Sequence, residues 1–216
     1  MSAPFFAFLL AQGPSLSSLY NADLPPSEQP NRPALSPDSP SSPTPTGTIP
    51  QLFLDAMTVR TSVFVTEQSV PLSAEFDSDD PRSFHWIAYA SVSTSSSDAV
   101  SPSVTRRTPV ATVRLVPPPH PPDPYINAPV PSEPFCKIGR LCTLKPYRGL
   151  KLGRMLMDEL REEAEQEWRG LVLVHAQKEL KAWYEGMGFE IDEEMGEWDE
   201  EGIMHVGLWK RLELKS

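Results

Sequence analysis

Residues 136–168 read CKIGRLCTLKPYRGLKLGRMLMDELREEAEQEW. The stretch opens as a short apolar strand, passes through the turn Arg148-Gly149-Leu150-Lys151-Leu152-Gly153, and continues as a helix. Leu152, Leu156, Leu160, Ala164 and Trp168 make one apolar face of that helix, opposite Asp158, Glu159, Glu162 and Glu163. Arg169-Gly170 closes it. From Lys137 to Arg154 the bases are Lys137, Arg140, Lys145, Arg148, Lys151 and Arg154, with no acid, in a chain of net charge -10. A helix start leaves N–H groups unsatisfied and carries partial positive charge, so glycines running into a helix make a phosphate cradle. The bland alternative is a strand–turn–helix connection with a solvated basic rim.

Downstream, Leu171–Ala176 is an apolar run that fits a buried central strand, joined to the preceding strand by a parallel crossover through the helix. Residues 190–201 carry eight acids and no base and read as a solvated loop. Residues 203–212 alternate and close the sheet. Upstream, Val110–Val116 and Ser83–Ser91 read as strands. Glu75, Asp77, Asp79 and Asp80 form an acidic loop, either ordinary turn chemistry or a negative mouth for an ammonium group. The apolar residues from Leu52 to Val63 recur at helical spacing and predict a helix ending near Glu67, Gln68 or Pro71. Phe5, Phe6, Phe8, Leu9 and Leu10 suit an edge or first strand of the sheet.

Of the 25 prolines, nine fall in 21–50 and eleven in 101–135. Proline has no N–H to give a ladder or helix, so these stretches lie outside the core. A single domain over 1–216 is therefore expected, with a disordered Pro/Ser-rich segment at 21–50 and inserted loops at 93–109 and 117–134. The acidic balance argues against nonspecific nucleic-acid binding, which needs many phosphate-neutralising bases. No segment reaches transmembrane length, and Ser2–Gln12 lacks the charged start of a secretory signal. Cys136 and Cys142, alone in one strand, do not make a disulfide framework and suit a reducing compartment. The expectation is a cytoplasmic protein without a metal site or membrane association. Oligomeric state is not legible.

Arg148-x-x-Lys151-x-Gly153 resembles the (Gln/Arg)-x-x-Gly-x-(Gly/Ala) signature of the GNAT superfamily of acetyl-CoA-dependent N-acetyltransferases, with Lys151 where the first Gly is usual. Leu171–Gln177 followed by Ala182-Trp183-Tyr184-Glu185-Gly186-Met187-Gly188-Phe189 is similar to that family's next strand and its Tyr-bearing helix end. Arg60-Thr61-Ser62-Val63-Phe64-Val65-Thr66-Glu67-Gln68, Glu75-x-Asp77 and Gly202-Ile203-Met204-His205 resemble one branch of it. The resemblance implies an α+β fold with a mixed, mostly antiparallel central sheet flanked by helices, whose parallel strand pair splays to admit the pantetheine arm. It implies acetyl-CoA as cosubstrate, held by Leu141, Cys142 and Thr143, by Arg148, Gly149, Leu150, Lys151, Leu152, Gly153 and Arg154, and by Gln177.

Amide formation requires an amine to lose a proton and a departing thiolate to gain an acid. The resemblance assigns the acid to Tyr184. Glu67, at a helix end, is the first choice of base, with Asp77, His85, His175 and His205 behind it; Asp77, His85 and His175 are also the candidate acceptor contacts. Each of these residues also has an ordinary structural reading. The expected function is acetyl transfer from acetyl-CoA to a primary amine of a small molecule, an amino sugar, polyamine or similar, by direct attack in a ternary complex. A non-catalytic acyl-CoA-binding module and a protein-lysine acetyltransferase are the alternatives.

Overall fold

A computed structural model describes residues 5–13, 15–33, 47–94, 104–122, 131–168 and 170–212. Eight strands form one sheet: β1 Phe5–Leu9, β2 Phe84–Thr94, β3 Val104–Val116, β4 Cys136–Thr143, β5 Leu171–Gln177, β6 Glu190–Ile191, β7 Glu197–Glu200 and β8 Ile203–Arg211. Their order is β1-β2-β3-β4-β5-β8-β6, with β7 also paired to β8. The sheet is mostly antiparallel, and β4 with β5 is its parallel pair. Helices α1 Ser15–Leu19, α2 Gln51–Arg60, α3 Leu72–Glu75, α4 Leu152–Trp168 and α5 Lys181–Glu185 complete the α+β architecture. Among the described residues no helix is long and apolar enough to cross a membrane.

The chain divides into two compact units, residues 1–113 with 140–156 and residues 114–139 with 157–216. In the first, Leu16, Tyr20, Ile49, Phe53, Leu54 and Met57 bury together. Tyr20 stacks on Phe76 at 4.8 Å and meets the edge of Phe53 at 5.5 Å. In the second, Phe135, Leu171, Leu173, Met195 and Trp198 form a cluster joined by Trp209. These contacts account for the apolar residues Leu171 and Leu173 on one face of β5.

Three expectations change here. The segment 21–50 is structured at both ends, although it is rich in proline. Gln29, buried, donates through Nε2 to Asn21 O (2.7 Å) and Leu24 O (2.8 Å), and its Oε1 accepts from Asn21 N (2.8 Å). One amide side chain thus replaces the ladder partners that proline cannot supply, and Ile49 returns to the core with its N–H on Asn31 O. Residues 34–46 lie outside the described residues. The loop expected over 93–109 is shorter, because β2 runs to Thr94 and β3 already starts at Val104; residues 95–103 are not described. The acidic run 190–201 is two strands and their turns rather than a loop. Asp192 Oδ1 accepts from Glu194 N and Met195 N while its Oδ2 accepts from Trp209 Nε1 at 2.8 Å, and Trp198 is buried, so a few polar anchors and one indole outweigh the charge pattern. Of the 117–134 insertion, residues 117–122 and 131–134 are described, and the ring of His120 packs 4.6 Å from Phe135 with Nε2 2.9 Å from Phe135 O.

The first unit also encloses a charge. Arg60 is fully buried; its Nε donates to Glu75 Oε1 (2.5 Å), Nη1 to Asp80 Oδ1 (2.6 Å), and Nη2 to Asp80 Oδ2 (3.1 Å) and to the Glu75 carbonyl. Burial opposes the charge, but Asp80 and Glu75 outweigh it and hold the guanidinium above its ordinary pKa. Removing one member of such a set strands the others without compensation. Arg60→Met is expected to destabilise the protein by about 3–5 kcal/mol, read as a lower denaturant midpoint in urea unfolding.

Candidate active site

Helix α4 begins at Leu152, and the turn before it has the geometry of an anion cradle. Gly149 has φ 80°, and a Cβ built there would meet nothing within 4 Å, so the turn leaves open space over its backbone. Among the described residues no protein acceptor meets the main-chain N–H groups of Gly149, Lys151, Leu152 and Gly153, while Leu150 closes the turn over 148–149; the first helical bond is Met155 N to Lys151 O at 3.1 Å. Four donors at the start of a 17-residue helix are suited to phosphate oxygens. The residues present therefore fit a diphosphate.

Lys151 stands where the resemblance expects glycine, and its φ is 63°. The backbone keeps the left-handed conformation that glycine adopts freely, at a cost of about 1–2 kcal/mol for a residue with a Cβ. The departure in sequence is thus absorbed without a change in the turn.

Arg148, at the head of the turn, is held on three sides. Its Nε donates to Thr143 O at 3.0 Å, and Nη1 and Nη2 donate to Glu67 Oε1 and Oε2 at 2.7 and 2.8 Å. Glu67 is the last residue of a π-helical stretch, Thr61–Glu67, that continues α2 and closes with an i to i−5 bond from Gln68 N to Val63 O (3.1 Å). Hydrogen bonding from Arg148 holds the Glu67 carboxyl below the usual glutamate range, which weakens it as a base.

The acidic loop is turned inward. Glu75 and Asp80 are buried on Arg60, and Asp77 Oδ2 accepts from Arg140 Nη2 at 3.0 Å while its Oδ1 caps Asp79 N and Asp80 N. Its charges are spent on internal partners, which favours the turn reading over the negative mouth. His85 is buried, with Nε2 3.3 Å from Asp80 O and its ring edge-on to Phe53 at 5.3 Å.

Arg140 went unremarked in the sequence beyond its charge. It is a non-glycine residue in strand β4 with φ 53°, just after Gly139. The parallel ladder runs Cys136 to Val172, Lys137 to Leu173 and Ile138 to Val174, and stops there, although β4 continues to Thr143 and β5 to Gln177. A kink at Gly139–Arg140 thus coincides with the end of pairing. An isolated glycine inside a strand is the signal that could have located it. Leu141, Cys142 and Thr143 follow the kink; Cys142 is buried beside Val59 and Val63.

In the second unit, Gln177 ends β5 directly across from His205 on β8, and His205 is also across from Trp198 on β7. His175 is half-buried with its ring edge-on to Trp198 at 4.9 Å. His205 Nδ1 lies 2.8 Å from Ile203 O, so in the neutral ring that nitrogen carries the proton and Nε2 carries the lone pair. Tyr184, on α5, is buried against Phe189 (5.5 Å) and Trp183 (4.9 Å). No described residue hydrogen-bonds its hydroxyl, and burial raises the phenol pKa.

Known proteins share this fold. Residues 127–212 match the family model of the acetyltransferase (GNAT) domain. A Bacillus subtilis (strain 168) protein named as an acetyltransferase is 28% identical over 159 residues, covering 72% of this chain and 87% of that one. A solved structure from Lactobacillus plantarum, named as an N-acetyltransferase, aligns with TM-score 0.56 and 26% identity, over 76% of this chain and 93% of that one. An acyl-CoA N-acyltransferase structure from Pseudomonas aeruginosa aligns with TM-score 0.53 and 27% identity, over 73% and 89%. Over residues 127–212 the chain is similar to the GNAT acetyltransferase domain, and it shares the fold of N-acyltransferases.

Because Lys151 takes a left-handed backbone, Lys151→Gly relieves strain of about 1 kcal/mol. Thermal unfolding should show a rise of about 2–4 °C.

Proposed function

We propose that this enzyme transfers the acetyl group of acetyl-CoA to a primary amine of a small molecule by direct attack. The observation that carries this reading is the set of unbonded amides at Gly149, Lys151, Leu152 and Gly153 running into α4. Those donors, with Lys151 and Arg154 beside them, would hold the coenzyme's diphosphate; the bound molecule supplies the activated thioester. Leu141, Cys142 and Thr143 would offer backbone beyond the end of the β4–β5 ladder, and Gln177 would act at the end of β5.

Direct attack is favoured over a cysteine relay because burial raises both thiols, Cys136 to about 12 and Cys142 further. Neither is a thiolate nucleophile near neutral pH. Tyr184 Oη would hold the proton destined for the leaving sulfur. Its raised pKa keeps that proton in place, and with Glu67 committed to Arg148, His205 Nε2 is the better-suited acceptor of the amine proton. Asp77, His85 and His175 are retained as surroundings of the acceptor only in so far as they shape the loop and strands that bear them, since each packs against named neighbours.

Thiol release from acetyl-CoA with a panel of small amines tests the reading; coenzyme binding without amine-dependent release would defeat it in favour of a non-catalytic module. Tyr184→Phe should lower kcat by about a hundredfold while calorimetry shows unchanged coenzyme affinity. The pH dependence has a definite sign. A phenol with an ordinary pKa of about 10 that is raised in the folded protein stays protonated below that value and loses its proton only as pH rises through the higher one. The kcat profile should therefore show no tyrosine-linked fall up to about pH 10.

A further inference from the structure

Arg148 and Glu67 are 81 residues apart in sequence and are joined by two parallel hydrogen bonds. Such fork-on-fork pairing fixes both the direction and the plane of the guanidinium. The third bond, Nε to Thr143 O, ties the same side chain to the last residue of β4. The head of the cradle is thereby fastened to the end of the π-helical stretch on one side and to a strand end on the other.

A base would need an unengaged oxygen and a pKa near the working pH. Both Glu67 oxygens accept from Arg148, and that hydrogen bonding pulls the carboxyl down instead of up. The pairing also offsets the charge of Arg148, so attraction for an anion is left to the main-chain amides, the helix start, and Lys145 and Lys151.

We infer that Glu67 is a positioning residue: acting through the bidentate pair with Arg148, it sets the start of the 148–153 turn so that its amides are presented to the coenzyme diphosphate. This rests on the reading of that turn as the diphosphate site. Its consequence is that Glu67 contributes to coenzyme affinity and not to proton removal. The pair is exposed and adds little to folding stability, so its variants should fold.

The test combines calorimetry of coenzyme A binding with acetyl-transfer kinetics for the wild-type chain, Glu67→Ala, Arg148→Ala and the double variant. Glu67→Ala should raise the Kd for coenzyme A and the KM for acetyl-CoA together by about tenfold. At saturating acetyl-CoA its kcat should stay within about twofold of wild type, with an unshifted pH profile. Glu67→Gln, which keeps one accepting oxygen, should fall between. In the Arg148→Ala background, adding Glu67→Ala should change the Kd by less than about twofold. An unchanged Kd, or a kcat lower by about a hundredfold with a flattened pH profile, would overturn the assignment and return Glu67 to the role of base. Wild-type protein that takes up no coenzyme A would overturn the diphosphate reading itself, a result that no Glu67 variant can mimic.

Discussion

A single buried guanidinium organises the first unit. Arg60 would be prohibitively costly to desolvate alone, and it is tolerated because Glu75 and Asp80 meet it with four hydrogen bonds in good geometry. Once those two acids are fixed, the loop between them is fixed as well, with Asp77 capping its own turn and reaching Arg140. Arg140 is the residue at which β4 departs from regular extended backbone. The internal charge cluster and the irregularity in the strand are therefore linked: the Arg140 side chain is anchored on Asp77 at 3.0 Å, in the loop that Glu75 and Asp80 fix, and pairs with Glu75 at 3.6 Å.

The turn before α4 follows a similar economy of strain. Lys151 is left-handed where glycine would be effortless, and Arg148, three residues earlier, is fastened by Thr143 and Glu67. A loop with four unbonded amides has little internal bonding to hold its shape, so its shape is set largely by neighbours. Side chains that a reader of the sequence would assign to chemistry, Glu67 among them, are occupied in this work.

Much of this was legible beforehand. The base-only run from Lys137 to Arg154, the glycines and the apolar face from Leu152 to Ala164 locate the strand, turn and helix, because charge pattern and helical period are local properties. The closing strand and the edge strand β1 are equally local. Partner choice was not legible: nothing in the spacing of Glu67 and Arg148, or of Arg60, Glu75 and Asp80, says which acid meets which base. Proline content misled at 21–33, where one buried Gln29 outweighs it, and acid content misled at 190–201, where Trp198 and the two bonds to Asp192 Oδ1 do.

That acidic hairpin has a further effect on how the protein behaves among its own copies. Strand β6 ends the sheet order and is only two residues long, and Glu190 on β6 with Glu197 on β7 place carboxylates on the short strands that flank β8. An open strand margin invites pairing with another chain, whereas a brief margin carrying like charges repels it. The brevity of β6 and the charge of Glu190 thus disfavour zipping of copies along that margin, while Glu197 is taken up by Lys178 Nζ at 2.8 Å.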